Sequence, residues 1–302
     1  MPLNEIENHP YLNYFINQHE EDLTPWDKYD KMIIGSFPIH SITDTVFPDV
    51  ELRSLNGEND LNFFYGSVTN KFWMRLSQTL NTCDPKAESN SHLRREAAIK
   101  ILDNNNIILT DVVKATNRFI NSDNFSPNDS ALFNLKCSYE IKQKFSLNYD
   151  IGYWIIKSQN LTNFYFTSQK GIVGKNPGGW FHQILKDCGF NLTNLSEKDN
   201  HIKYLITKEN FHREIDLFFL PTPSGFRSIS LGVKRQHKMF LNYLESVDKP
   251  LFYSLTSQKF IQTTTQKDEV SVYRRNFIAT WWCKYLIEKD SNFDGTITVE
   301  QR

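Results

Sequence analysis

Two segments far apart in the chain carry the residue types of a polar site at the edge of a sheet. They are Ile33-Ile34-Gly35-Ser36-Phe37-Pro38 and Phe219-Leu220-Pro221-Thr222-Pro223-Ser224-Gly225-Phe226. Each runs from apolar residues into a turn of small and rigid ones, which is how an α/β domain presents backbone N–H groups and hydroxyls at the carboxyl edge of its sheet. Between them lies Phe63-Phe64-Tyr65-Gly66-Ser67-Val68-Thr69-Asn70-Lys71-Phe72-Trp73, an aromatic run with one amide at a helix start. An aromatic ring stacks on a flat group, hydroxyls and backbone N–H groups donate to one, and an amide positions a water.

The elements that must hold these segments follow from the hydrophobic pattern. Strands are expected at Lys31–Gly35 and at about Ile107–Thr110, Asn163–Thr167 and Ile215–Leu220. Helices are expected near Tyr11–His19, at Asn70–Leu80, His92–Asn104, Pro177–Cys188 with Gly189 as C-cap, and Leu231–Glu245. Alternation of strand and helix points to a three-layer α/β/α domain with a central, mostly parallel sheet. Ile39–Asn62 and Glu197–Glu214 read as insertions. Beyond Lys249 come a further strand (Leu251–Leu255), a helix around Arg274–Lys289, and a polar tail, Ser291–Arg302, that should fray. The expected organisation is a helical lead-in over 1–30, the α/β domain over 31–248 and a C-terminal extension over 249–302 packed on the same domain.

Composition narrows the class of function. The 302 residues include 23 Phe, 13 Tyr and 6 Trp, which implies a ring-rich core or a surface that stacks on something flat. A net charge of −1 leaves nucleic-acid contact to a local patch. The best such patch is Lys234, Arg235, His237 and Lys238, beside Arg227; Lys170 and Lys175 flank Gly171 and Gly174 in another turn, and Arg274-Arg275 is a third candidate. Cys83, Cys137, Cys188 and Cys283 are scattered without a CxxC pair, so no metal or cofactor is expected and a reducing, cytoplasmic setting is the simpler one. No signal peptide and no membrane-spanning run is read, and no obligate protein partner is inferred.

Each motif alone has an ordinary explanation. Gly35–Pro38 can be a plain strand exit, Asn70 a helix cap, Tyr65 a core ring and the basic cluster a solvated helix face. Their order along the chain is less ordinary. Strand, Gly-Ser-Phe-Pro turn, aromatic-Tyr65-Gly66, Asn70-Lys71-Phe72-Trp73, the Ile107–Val113 strand and Pro221-Thr222-Pro223-Ser224-Gly225 together resemble the uracil-DNA glycosylase superfamily, closest to its mismatch-specific uracil and hypoxanthine-DNA glycosylase branches. The resemblance covers roughly Lys31–Glu245.

The resemblance implies a monofunctional DNA glycosylase, acting on double- or single-stranded DNA, that extrudes a base and hydrolyses its bond to deoxyribose. It implies a base pocket from Gly35, Ser36, Phe37, Tyr65 and Thr110, with Tyr65 stacking on the extruded base. Asn70 would hold the water, Thr222 would assist the leaving base, and Phe226 would fill the vacated space in the duplex. Ser36, Ser168 and Ser224 would grip flanking phosphates, with Lys170, Gly225, Arg227, Lys234 and Arg235 also on DNA. The chain departs from the family pattern at Phe37, where an Asp or Asn usually positions the water, at Thr222 for a His or Asn, and at Thr110 for the Asn that reads uracil. The expected substrates are uracil or hypoxanthine in repair; the departures at Phe37, Thr110 and Thr222 and the Ile39–Asn62 insertion motivate a second set, a hypermodified cytosine in phage DNA in antiviral defence. A catalytically silent DNA-binding module on the same fold is the alternative.

Overall fold

A computed structural model describes residues 7–9, 11–12, 26–35, 61, 63–66, 70–116, 119–121, 124–125, 146–167, 179–198, 200–221, 223, 234–257 and 264–297. In chain order the elements are β1 (Glu7–Asn8), β2 (Lys31–Gly35), α1 (Phe72–Leu80), α2 (Ser91–Asn104), β3 (Ile107–Asp111), β4 (Val113–Thr116), β5 (Phe119–Asn121) and β6 (Asn124–Phe125). They continue with β7 (Ser146–Leu147), α3 (Asp150–Lys157), β8 (Asn163–Phe166), α4 (Trp180–Asp187), β9 (Asn191–Lys198), β10 (His201–Lys208), β11 (Phe211–Phe219), α5 (Lys234–Val247), α6 (Lys249–Ser257) and α7 (Thr264–Leu286). By its contacts the chain divides into two units, Met1–Val68 with Pro85–Phe219, and Thr69–Asp84 with Leu220–Arg302. The dividing point near 219 differs from the boundary at 248 read from the sequence.

The first unit is built on a six-stranded sheet of order β3-β2-β8-β11-β10-β9. β2 pairs in parallel with β3 and with β8, β8 pairs in parallel with β11, and β10 pairs antiparallel with β11 and β9. The fold is mixed α/β with helices flanking a mostly parallel sheet, the three-layer α/β/α class that the alternation predicts. Successive strand residues face opposite sides, and all of β3 and β8 is buried along with Met32–Gly35 of β2, so both sides are covered. On one side Phe181 of α4 packs against Phe164 and Phe166, with ring centroids 5.6 and 5.1 Å apart; on the other Tyr165 stacks on Phe218 at 5.1 Å.

The winding fixes where a ligand site belongs. β2 comes first in the chain among the described parallel strands, β3 lies on one side of it, and β8 and β11 lie on the other. The chain thus reverses direction across the sheet after β3, and the carboxyl ends of β2 and β8 flank the topological switch point where open α/β sheets bind ligands. A second, three-stranded sheet, β1-β4-β7, continues from β3 and brings the N-terminal strand to the same edge. β5 and β6 form a separate pair.

Three expectations are corrected. Glu197–Glu214 is no insertion: it belongs to the β9-β10-β11 meander, in register from His201↔Phe218 to Lys208↔Phe211. Its polar residues stand on strands that are partly exposed: Glu197 and Lys198 end the exposed edge strand β9, and β10 and the first half of β11 are only partly buried. Leu251–Leu255 lies in helix α6, whose start is capped by Asp248 Oδ1 accepting from the Leu251 amide at 3.0 Å. Residues 291–297 do not fray, because Phe293 is buried beside Phe277 and Asn242 Nδ2 donates to the Asp294 carbonyl at 2.9 Å. The helix expected near Tyr11–His19 and the Ile39–Asn62 segment fall almost wholly outside the described residues.

The second unit has a ring-rich core. Phe72 of α1 meets Trp282 of α7 edge-on at 5.7 Å, and Trp282 Nε1 donates to the Pro221 carbonyl at 3.1 Å. Arg75 of α1 is 5% exposed and donates from Nη1 to Gln78 Oε1 at 2.9 Å, with no carboxylate partner among the described residues. Burial, and then the charge of Arg275, push its pKa down. Arg75→Met keeps the stem and removes an unpaired buried charge, so the variant should be more stable by about 1 kcal/mol. Urea titration checks this, and a loss of stability would show that the bond to Gln78 outweighs the desolvation of the charge.

Candidate active site

Three neighbouring parallel strands deliver their last residues to one edge: Gly35 ends β2, Asp111 ends β3 in register with it, and Thr167 follows β8. A Cβ on Gly35 would overlap both the Tyr65 hydroxyl and Oδ1 of Asp111, so these two oxygens lie over a bare Cα. Only glycine admits that approach. The Tyr65 hydroxyl is also hydrogen-bonded to Thr167 Oγ1 at 2.9 Å. The phenol thus spans the carboxyl ends of β2 and β8, across the switch point.

Tyr65 reaches this place through a constrained turn. The Leu61 amide donates to the Gly66 carbonyl at 2.9 Å and the Phe63 amide to the Leu61 carbonyl at 2.8 Å, while a side chain on Gly66 would strike the Leu61 carbonyl oxygen. Inside that loop Tyr65 has φ of 54°, the left-handed region that an aromatic residue rarely enters. Backbone held in a sparsely populated conformation clusters at ligand sites, where packing over-determines it. Here the packing comes from Phe63 and Phe64, which are buried against Tyr11 with ring centroids 5.7 Å away in each case.

Asp111 has a partner from the N-terminus. β1 runs antiparallel to β4, and the His9 amide donates to the Lys114 carbonyl at 2.9 Å. That pairing carries the His9 imidazole to Asp111, with Nε2 at 2.8 Å from Oδ2. The His9 side chain is 0% exposed and that of Asp111 6%. Phe64 packs on the imidazole at 5.0 Å.

Of the residues singled out in the sequence, Gly35 and Tyr65 come together here. Thr110 sits one position before Asp111 and so faces the other side of the sheet, fully buried, where its hydroxyl accepts from Asn148 Nδ2 at 3.0 Å. The same amide donates to the Asp111 carbonyl at 3.0 Å, which makes Thr110 and Asn148 a brace for the end of β3. Asn70 belongs to the second unit, and its Oδ1 accepts from the Phe72 amide at 2.9 Å, closing the N-terminus of α1. Asn70→Ala is expected to lose about 1 kcal/mol of stability, read from a melting curve, and Asn70→Asp, which keeps the acceptor, to lose less. Lys234 and Arg235 open α5. Ser36, Phe37, Ser168, Lys170, Thr222, Ser224, Gly225, Phe226 and Arg227 lie outside the described residues.

The sequence reading missed His9, Asp111 and Thr167. Asp111 had a visible signal, a carboxylate at the exit of an apolar strand; His9 had none, being 102 residues from its partner. The assembled group offers a carboxylate that can accept a proton or face a cation, a phenol that can donate, and an aromatic ring, half-buried, with no Cβ beneath. Among the described residues no three His, Cys, Asp or Glu side chains gather as metal ligands, and no helix is long and apolar enough to cross a membrane. Fold and site together define an α/β protein with a carboxylate–phenol cluster at its switch point. Comparison of the chain with protein-family models, curated proteins and solved structures finds no match.

Proposed function

We propose that the chain is a monofunctional DNA N-glycosylase that swings a damaged or modified base out of the stack and hydrolyses its bond to deoxyribose. The observation that carries this reading is the Asp111 carboxylate beside the Tyr65 phenol over the bare Cα of Gly35, at the switch point of the sheet. The motif order that resembles the uracil-DNA glycosylase superfamily includes Gly35 at the end of β2, Tyr65, and the β3 strand that ends in Asp111.

The reaction passes through an oxocarbenium-like sugar and an anionic leaving base. In this reading Asp111 Oδ1 holds the water, takes its proton as the water oxygen bonds to C1′, and offsets the positive sugar; the base departs with the electron pair of the broken C1′–N bond. Tyr65 offers its ring to the extruded base. Asp111 takes the role that the resemblance gives to Asn70, whose Oδ1 is engaged by the Phe72 amide. Phe226 as wedge and the Ser and Lys/Arg residues on phosphates complete the reading. Substrates are uracil and hypoxanthine in repair, or a bulky modified cytosine of phage DNA in defence.

The test is incubation with genomic DNAs of different base content, with mass spectrometry of released bases and counting of abasic sites. Release of one base with an equal number of abasic sites supports the reading and names the substrate. A shift of DNA on a gel with no base released from any of them makes the chain a catalytically silent DNA-binding module.

A further inference from the structure

We infer that His9 is a positioning residue, held as the Nε2–H tautomer, that ties down Oδ2 of Asp111 and leaves Oδ1 as the working atom; the inference rests on Asp111 being the carboxylate of the proposed reaction. The Tyr11 amide donates to His9 Nδ1 at 3.1 Å, and an N–H can donate only to a ring nitrogen that carries no proton. The ring proton is therefore on Nε2, which donates to Asp111 Oδ2 at 2.8 Å. Both nitrogens are committed and the side chain has no exposed surface, so the imidazole has no lone pair to offer a water or a substrate. General-base catalysis by His9 is excluded by that geometry.

What remains is orientation. A carboxylate rotates about its Cβ–Cγ bond, and a single donor on one oxygen stops it with the other oxygen in a defined place. Here that place is over Gly35, beside the Tyr65 hydroxyl. Rings hold the donor in turn: Phe64 lies 5.0 Å from the imidazole and Tyr11 6.1 Å away, edge-on. The N-terminal strand is thereby a working part of the site, brought there by its pairing with β4.

Three substitutions test the role. His9→Gln sets an amide N–H near the position of Nε2, His9→Phe fills the ring volume without a donor, and His9→Asn is too short to reach Asp111. His9→Phe and His9→Asn should lower kcat of base release by at least about tenfold with KM within about twofold, and His9→Gln should recover most of the rate. Losses that are equal for Gln and Phe, and that follow their melting temperatures, would reduce His9 to packing and overturn the inference. Nitrogen-15 NMR of the histidine side chains gives a readout independent of turnover. The expected signature at neutral pH is a bare Nδ1 and a protonated Nε2 whose signal moves in Asp111→Ala; a proton on Nδ1 overturns the inference. If the wild type releases no base from any DNA, the glycosylase reading fails while the NMR result still judges the tautomer and its link to Asp111.

Discussion

Under the proposed glycosylase reaction, Asp111→Asn should release base at least about 100-fold more slowly than the wild type, at the lower end of what a positioned general base contributes, while melting at nearly the same temperature. The substitution is close to isosteric. The His9 Nε2–H can still donate to the side-chain oxygen at the position of Oδ2, so the buried pair stays satisfied, and the Asn148 contact is to the backbone carbonyl and is untouched. What changes is the atom over Gly35, where an amide nitrogen replaces Oδ1 and can neither accept a proton from water nor offset a positive sugar. Single-turnover rates beside a melting curve separate chemistry from folding. Wild-type rates in Asp111→Asn, with loss of activity in Asn70→Ala beyond its loss of stability, would return the water to Asn70.

Gly35→Ala should cost about 2 kcal/mol of stability and lower base release by at least about 100-fold. The new methyl group would occupy the space of the Tyr65 hydroxyl and Asp111 Oδ1, so one or both must move. Moving the phenol breaks its bond to Thr167 and strains a turn whose backbone is already left-handed at Tyr65. Moving the carboxylate pulls it from His9. Neither route is open to a small shift, because the three strand ends are in register and buried. Urea denaturation and single-turnover kinetics check the two effects, and a Gly35→Ala variant of normal stability and rate would show that the cluster is loose rather than preorganised.

Strand and helix were legible wherever local chemistry dominates. Ile33-Ile34 and Ile107-Ile108-Leu109 read as buried parallel strands because both faces of such a strand are apolar, and the structure buries every one of those residues. Gly189 at φ 85° marks a helix stop by backbone chemistry that needs no distant partner. Local reading failed at Glu197–Glu214, where partly exposed strands carry polar residues, and at Leu251–Leu255, a short apolar run whose periodicity does not separate strand from helix and which lies in α6.

The site divides in the same way. That Gly35 ends a strand, and that Tyr65 lies in an aromatic run closed by Gly66, are properties of adjacent residues and stand in the sequence. That Asp111 rather than Thr110 faces the Gly35 side follows from strand alternation, but only once the register with β2 is known. That His9 meets Asp111 at all is set by the pairing of β1 with β4, a contact between residues 102 apart that leaves no local signal in the sequence. Parallel strands are joined through long crossovers, so the neighbours at their carboxyl ends come from chain segments that share no periodicity. Residue types and strand ends were therefore determined by the sequence alone, and the carboxylate, its imidazole and the phenol became one site only when the sheet closed the distance between them.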